Sequence, residues 1–191
     1  MAITTTQSSL TENRLWELSR ELRESTLFCG LSDDYPLVEK QNLFLMLAGA
    51  KPVTEVTSGH WESTRNGRRS VADDPVTVQD FLTSLGGVSR IRCDMHGVTA
   101  VVSMKQELLS DYDSAEKRED IRKIGLLFGY PKSAVDAYVG GHRLEWDRQA
   151  ELLRNAGVDK VSGFIMSQQG WKAELAVLLD WQAVLKYYNL A

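Results

Sequence analysis

Two short constellations carry residue types suited to chemistry. Cys93-Asp94-Met95-His96 sets a thiol and an imidazole at Cys-x-x-His spacing, at which both can bind one metal ion across a turn. Structural zinc needs four ligands and catalytic zinc about three, so the pair is half a site. His60, His142, Cys29 or an acidic side chain would have to join it. Without a metal, Cys93 reads as a small buried hydrophobe and His96 as a solvated turn residue. Cys93 as nucleophile with His96 as its base is the weaker reading, because catalytic partners are usually brought together from separate segments. No cofactor is expected from this pattern, and a divalent metal stays open.

The second constellation is Arg65, Arg68 and Arg69 around Asn66-Gly67. Asn-Gly suits a type I′ turn, whose central residues both need positive φ. With that pair at the centre, Arg65 and Arg68 face each other across two strands, and like charges so placed repel. A phosphate or an acidic surface would relieve the repulsion, since guanidinium groups grip such oxygens in bidentate fashion. The plainer reading is a solvated loop from Ser58 to Asp74, its arginines paired loosely with Glu55, Glu62 or Asp73. Trp61 could stack on a base or sugar there, or cover the core. Phosphate loops, dinucleotide fingerprints, nucleophile elbows and paired metalloprotease histidines are absent from the sequence. Asp33-Asp34 and Asp73-Asp74 precede prolines and helix starts, where capping accounts for them.

The composition frames these candidates. Of 191 residues, 43% are apolar and 25% charged, the balance of a globular domain rather than a disordered chain. A net charge of -4 speaks against a dominant nucleic-acid surface. Such a role would need Arg90 and Arg92 to join Arg65–Arg69 in one basic face. Two distant cysteines and a Thr/Ser-rich start without an apolar core point to reduced thiols and a soluble, cytoplasmic protein. The longest apolar run, Leu43 to Ala50, is too short for a membrane span.

The elements that must position these residues follow from periodicity. After a frayed tail over 1–8, Ser9 and Glu12 form a capping box for a helix from about Leu10 to Ser25. Asp33, Asp34 and Pro36 start a second, largely buried helix ending at Gly49. An extended segment runs from Val53 to Arg65, and Thr77 opens a helix closed by Gly86-Gly87. Next comes a hairpin turning at His96-Gly97. Ile91, Cys93 and Met95 form its inward face, and Arg90, Arg92 and Asp94 its solvated one. Asp113, with Glu116, caps a helix lined by Ile121, Ile124 and Phe128. Further helices are expected over Ser133 to Val139 and His142 to Asn155, the latter with Trp146, Ala150 and Leu153 on one face. Val161 to Met166 reads as a buried strand and Gln168 to Tyr188 as a closing helix. The sum is one α+β domain over 1–191, mostly helical, with about seven helices around a small antiparallel sheet of three to five strands.

Ile124-Gly-Leu-Leu-Phe-Gly-Tyr-Pro131, followed by Ser133, Val135 and Tyr138, resembles a helix-Gly-Tyr-Pro-helix corner found in uncharacterised prokaryotic proteins. The resemblance implies no activity. Some such corners carry cysteines after the proline, where this chain has Lys132, Ser133 and Ala134. The functional expectation is a non-catalytic binding or regulatory protein acting through a partner surface, with an anion contact at Arg65, Arg68 and Arg69. The alternative is an enzyme with a site assembled from dispersed residues, such as metal-assisted hydrolysis around Cys93 and His96. A protein partner or a homo-oligomer is expected, since the apolar coverage of the last helix exceeds one stripe. Nucleic acid ranks lower, and no membrane is expected.

Overall fold

Apolar periodicity along the chain becomes eight helices and four strands among the described residues. The computed structural model describes residues 10–28, 37–65, 67–94, 97–158 and 164–191, with backbone alone at 60, 61, 63, 68–70 and 94. In chain order the elements are α1 (Glu12–Glu24), α2 (Val38–Leu47), β1 (Val53–Thr64), β2 (Gly67–Ala72), α3 (Pro75–Ser84), β3 (Val88–Asp94) and β4 (Gly97–Ser103). Then follow α4 (Gln106–Lys117), α5 (Ile121–Leu127), α6 (Lys132–Gly140), α7 (Trp146–Asn155) and α8 (Trp171–Tyr187). The expected class, α+β and mostly helical around an antiparallel sheet, is the observed one.

The sheet runs β2-β1-β4-β3. β1 is long enough to serve two partners, pairing with β4 through residues 53–58 and with β2 through 59–64. Period-two alternation sends Val56, Val98, Ala100 and Val102 to one face. There they meet Leu18, Leu22, Leu43, Phe44, Leu82, Leu178 and Leu185 from α1, α2, α3 and α8 in the main core. Each fully buried large side chain of this set contributes roughly 1.5–3 kcal/mol relative to exposure. The other face carries Val53 and Val101, packed under Leu109, Tyr112 and Leu127 of α4 and α5 in a second, smaller core.

That second layer overturns one expectation. Arg90 and Arg92 do not face open solvent, because α4 lies over them and pairs Asp113 with Arg90 and Glu116 with Arg92. Asp113 is therefore an inward residue in the middle of α4 and not a cap. The chain breaks at Glu119, whose φ is 54°, and Asp120 caps α5 by accepting from the Lys123 amide at 2.9 Å. One expected helix is two, which raises seven to eight.

Local caps moved elsewhere too. Thr11 caps α1, accepting from the Arg14 amide, and Ser9 lies outside the described residues. Asp74 caps α3 through the amide and hydroxyl of Thr77, as its place before Pro75 suggested, so the helix begins one turn before Thr77. The tail 1–8, Asp33, Asp34, Pro36 and Cys29 also fall outside the described residues.

The expected strand Val161–Met166 is not formed where the chain is described, from Phe164 onward. In place of a ladder the segment makes one antiparallel bridge, Arg143 with Ser167, with the Leu144 amide donating to the Met166 carbonyl at 2.7 Å, and two bonds to a side chain: Gln149 of α7 donates to the Phe164 carbonyl at 3.1 Å and accepts from the Met166 amide at 2.8 Å. The same segment is tied to α8 by Glu174, fully buried, which accepts from the amide and hydroxyl of Ser167 at 2.6 and 2.7 Å. The inward side of α7 is Gln149, Leu152 and Leu153, and Trp146 is exposed. α8 buries Leu178, Trp181, Gln182 and Leu185 against its own chain, so its broad apolar coverage is largely used within the protomer.

Candidate functional site

The structure describes the two expected constellations in part, through the register of their strands. Register pairs Thr64 with Gly67, Ser63 with Arg68 and Glu62 with Arg69. The turn therefore centres one residue earlier than Asn66-Gly67, and Arg65 sits in it rather than opposite Arg68. The like-charge opposition that argued for an anion is gone, and Arg69 stands across from a glutamate. Likewise Asp94 pairs with Gly97, not the His96-Gly97 turn expected, and Cys93 is exposed rather than buried. His96 and the side chain of His60 lie outside the described residues, and His142 is exposed after α6. Among the described residues no three His, Cys, Asp or Glu side chains converge as metal ligands would. β2 and β3 occupy opposite edges of the sheet, which separates Arg68 and Arg69 from Arg90 and Arg92 and removes the continuous basic face.

What the fold does assemble is a polar pocket around Lys51. α2 ends in a Schellman motif: the Gly49 amide bonds to the Met46 carbonyl and the Ala50 amide to the Leu45 carbonyl. Pro52 then forces extended backbone into β1. Between them Lys51 turns inward and is 4% exposed. Its Nζ donates to Asn42 Oδ1 at 2.6 Å and lies 4.5 Å from the centre of the Trp181 ring and 5.9 Å from that of Tyr130. No described carboxylate is within ion-pair distance of this ammonium. The other buried lysine, Lys40, instead donates to two carbonyls at the end of α1, Arg23 and Ser25, where a cation also complements the helix dipole. Lys40 is a cap; Lys51 is not.

The pocket encloses ≈ 290 Å³ and is lined by Glu39, Asn42, Lys51, Thr54, Glu55 and Thr57, with Phe128 and Tyr130 closing one side. Burial pushes the Glu39 carboxyl up to about 7, against the pull of a hydrogen bond from the Thr57 backbone. Burial pushes the Lys51 ammonium down to about 8, with Glu39 acting in the opposite sense. Both directions follow from the cost of holding charge away from water. Beside the pocket, Tyr112 reaches Glu55 and Glu116 at 3.4 and 3.3 Å, and burial first, then those two carboxylates, push its phenol to about 12.

The Gly-Tyr-Pro corner builds the pocket's wall. Gly129 has φ 77°, and a Cβ there would sit 3.2 Å from the Ala50 carbonyl oxygen and 3.4 Å from Lys51 Cα. Glycine thus serves both the left-handed turn and the close approach that brings Tyr130 to the lysine. From Tyr130 a run of rings continues to Phe164 at 5.5 Å and on to Trp181 at 5.9 Å.

On the far side of Tyr130 and Phe128 lies a second concavity of ≈ 320 Å³ between α5 and α6. Ile121, Ile124, Val135, Tyr138 and Ile165 line it. Ile121 is 55% and Tyr138 48% exposed, and Leu126 and Val139 add to the apolar surface of the same two helices. Gly125 forms part of the floor, where a Cβ would come within 2.9 Å of Val135. The rim is basic. Arg122 and Lys132 share the single carboxylate of Asp136, and Arg143 stands over the Tyr138 ring at 5.0 Å.

Sequence reasoning missed Glu39, Asn42 and Lys51 entirely. The available signal was a lysine placed between an apolar helix and a proline, with no polar run around it. No described helix is long and apolar enough to cross a membrane. No protein-family model, curated protein or solved structure matches the chain.

Proposed function

We propose that this is a non-catalytic binding or regulatory protein whose partner surface is the α5–α6 groove, and that the groove receives an acidic amphipathic helix of a partner protein. The observation that carries the reading is an open apolar groove between α5 and α6, whose own helices carry Arg122 and Lys132 on the one carboxylate of Asp136, in a chain whose net charge is -4. Large exposed apolar side chains gathered at one concavity mark interaction sites more often than scattered ones do. A groove between two short helices suits i, i+3, i+4 anchors from a third. Two cations sharing one carboxylate, with Arg143 on Tyr138, leave a field that favours an acidic segment and speeds its encounter.

The test uses two designed peptides with the same apolar stripe, one acidic and one basic, titrated against the protein by fluorescence anisotropy. The acidic peptide is expected to bind at least tenfold more tightly, to weaken as salt rises, and to lose that binding in Ile121→Asp and Tyr138→Asp. Equal binding of the two peptides, or binding unchanged by both substitutions, would overturn the reading.

A further inference from the structure

We propose that Lys51 is a covalent-binding lysine, whose amine forms an imine with a small uncharged aldehyde or ketone held in the pocket between α2, β1 and the Gly129-Tyr130-Pro131 corner. The inference is independent of the α5–α6 groove. It begins from an unusual placement: an ammonium 4% exposed, with one hydrogen-bond acceptor among the described residues, the rings of Trp181 and Tyr130 beside it, and no described carboxylate within ion-pair distance. A buried cation kept for stability would be paired, because an unpaired one is costly. Lys40, one helix face away, shows what a paired one looks like. Lysines set in desolvated surroundings are the ones that attack carbonyls, since they give up a proton near neutral pH. The lowered proton affinity of Lys51 is in keeping with this.

The step balances with groups already in the pocket. The neutral Nζ adds its lone pair to the carbonyl carbon and gives up one proton while the carbonyl oxygen takes one, so that a neutral carbinolamine forms. Its hydroxyl leaves as water with a second proton as the C–O bond breaks, the nitrogen lone pair completes the C=N bond, and loss of the remaining N–H proton gives the imine. Glu39, a carboxyl that stays half protonated near pH 7, lines the same pocket and is the group suited to hand over and take back those protons. Nothing is oxidised or reduced. The choice of an uncharged carbonyl follows from the lining. Glu39 and Glu55 both face the space, and a ligand carboxylate would meet their charge. Asn42 and the hydroxyls of Thr54 and Thr57 offer neutral hydrogen bonds instead, and ≈ 290 Å³ is ample for a small molecule.

The test treats full-length protein at pH 8 with propionaldehyde and sodium borohydride, which reduces any imine to a stable secondary amine, and maps the modified sites by mass spectrometry. The chain has nine lysines. Lys51 is expected to be modified at least tenfold faster than the average of the other eight, despite being buried. Glu39→Gln should slow Lys51 several-fold and leave the others unchanged, with circular dichroism confirming the fold. Pyruvate, the charged comparison, should modify Lys51 more slowly than propionaldehyde does. Modification spread over exposed lysines with Lys51 spared would overturn the proposal. Pyruvate reacting as fast as propionaldehyde would overturn the preference for an uncharged ligand.

Discussion

The raised proton affinity of Glu39 makes a definite statement about stability against pH. In the unfolded chain its carboxyl titrates at the ordinary value, and in the fold at about 7. Between those values the folded state holds the proton that the unfolded state has released. Stability is therefore fully present at low pH and is lost as pH rises toward 7. With 1.36 kcal/mol for each unit of pKa, the loss between pH 5 and pH 7.5 is capped at about 2 kcal/mol. Glu39 is partly open to solvent, and screening brings the expected loss to about 1 kcal/mol.

Glu116 and Asp136, held low first by their hydrogen bonds to Arg92 and Lys132, finish titrating below that window. Lys51, held down to about 8, starts to recover stability only at its upper end. Glu39→Gln keeps the shape and removes the titration. Urea unfolding at pH 5 and pH 7.5 should show the wild type losing about 1 kcal/mol and the variant losing close to nothing, so that the variant is the more stable protein at pH 7.5. Parallel losses in the two proteins would refute the argument that burial holds this carboxyl protonated.

Three further substitutions test how the layers are held. A double-mutant cycle over Arg92→Met and Glu116→Gln should give a coupling of about 0.5–1 kcal/mol that shrinks in high salt, read by urea unfolding; no coupling would mean that α4 is held over the sheet by its apolar residues alone. Gln149→Leu removes both bonds to the Phe164–Met166 segment and should cost about 2 kcal/mol, with amide exchange rising at Met166. Gly129→Ala forces a Cβ against the Ala50 carbonyl at positive φ and should cost about 1–2 kcal/mol in thermal unfolding, and it should also change the fluorescence of Trp181 as Tyr130 and Lys51 shift.

How much of this was legible in the sequence depended on whether a signal was local. The β3–β4 hairpin, the buried run of α2 and the Gly-ended helices were readable, because alternation and positive-φ glycine act within a few residues, whereas Ser58 to Asp74, without clean alternation, stayed open between the β1–β2 hairpin it forms and a loop. Each hairpin turn was nonetheless placed one residue late, since register is decided by the whole ladder and not by the pair that looks most turn-like. Asp113 and Glu116 looked like a capping box, and they are the carboxylates that cover Arg90 and Arg92. A helix cap and an inter-layer ion pair use the same residue types at the same spacing, and only the position of the sheet tells them apart. Val161–Met166 looked like a strand because it is apolar, but from Phe164 onward it is shared between the Gln149 side chain and a single bridge at Arg143–Ser167, too short a pairing to make a strand.

The candidate site was less legible for a related reason. Cys-x-x-His and the arginine-flanked turn attract attention because their residues are adjacent in sequence, yet adjacency is the feature least needed for chemistry. The Lys51 pocket draws Glu39 and Asn42 from α2, Thr54 to Thr57 from β1, Tyr130 from the α5–α6 corner and Trp181 from α8. Its one sequence-level trace is a charge where burial would forbid one. A lysine directly after a helix of eight consecutive buried residues, Lys40 to Leu47, and directly before Pro52 has no room to reach solvent by a short path. Burial without a paired carboxylate then forces either loss of the proton or a ligand that shares it. Lys51 thus differs in kind from Arg65 in the β1–β2 turn, which is exposed and whose charge water can satisfy.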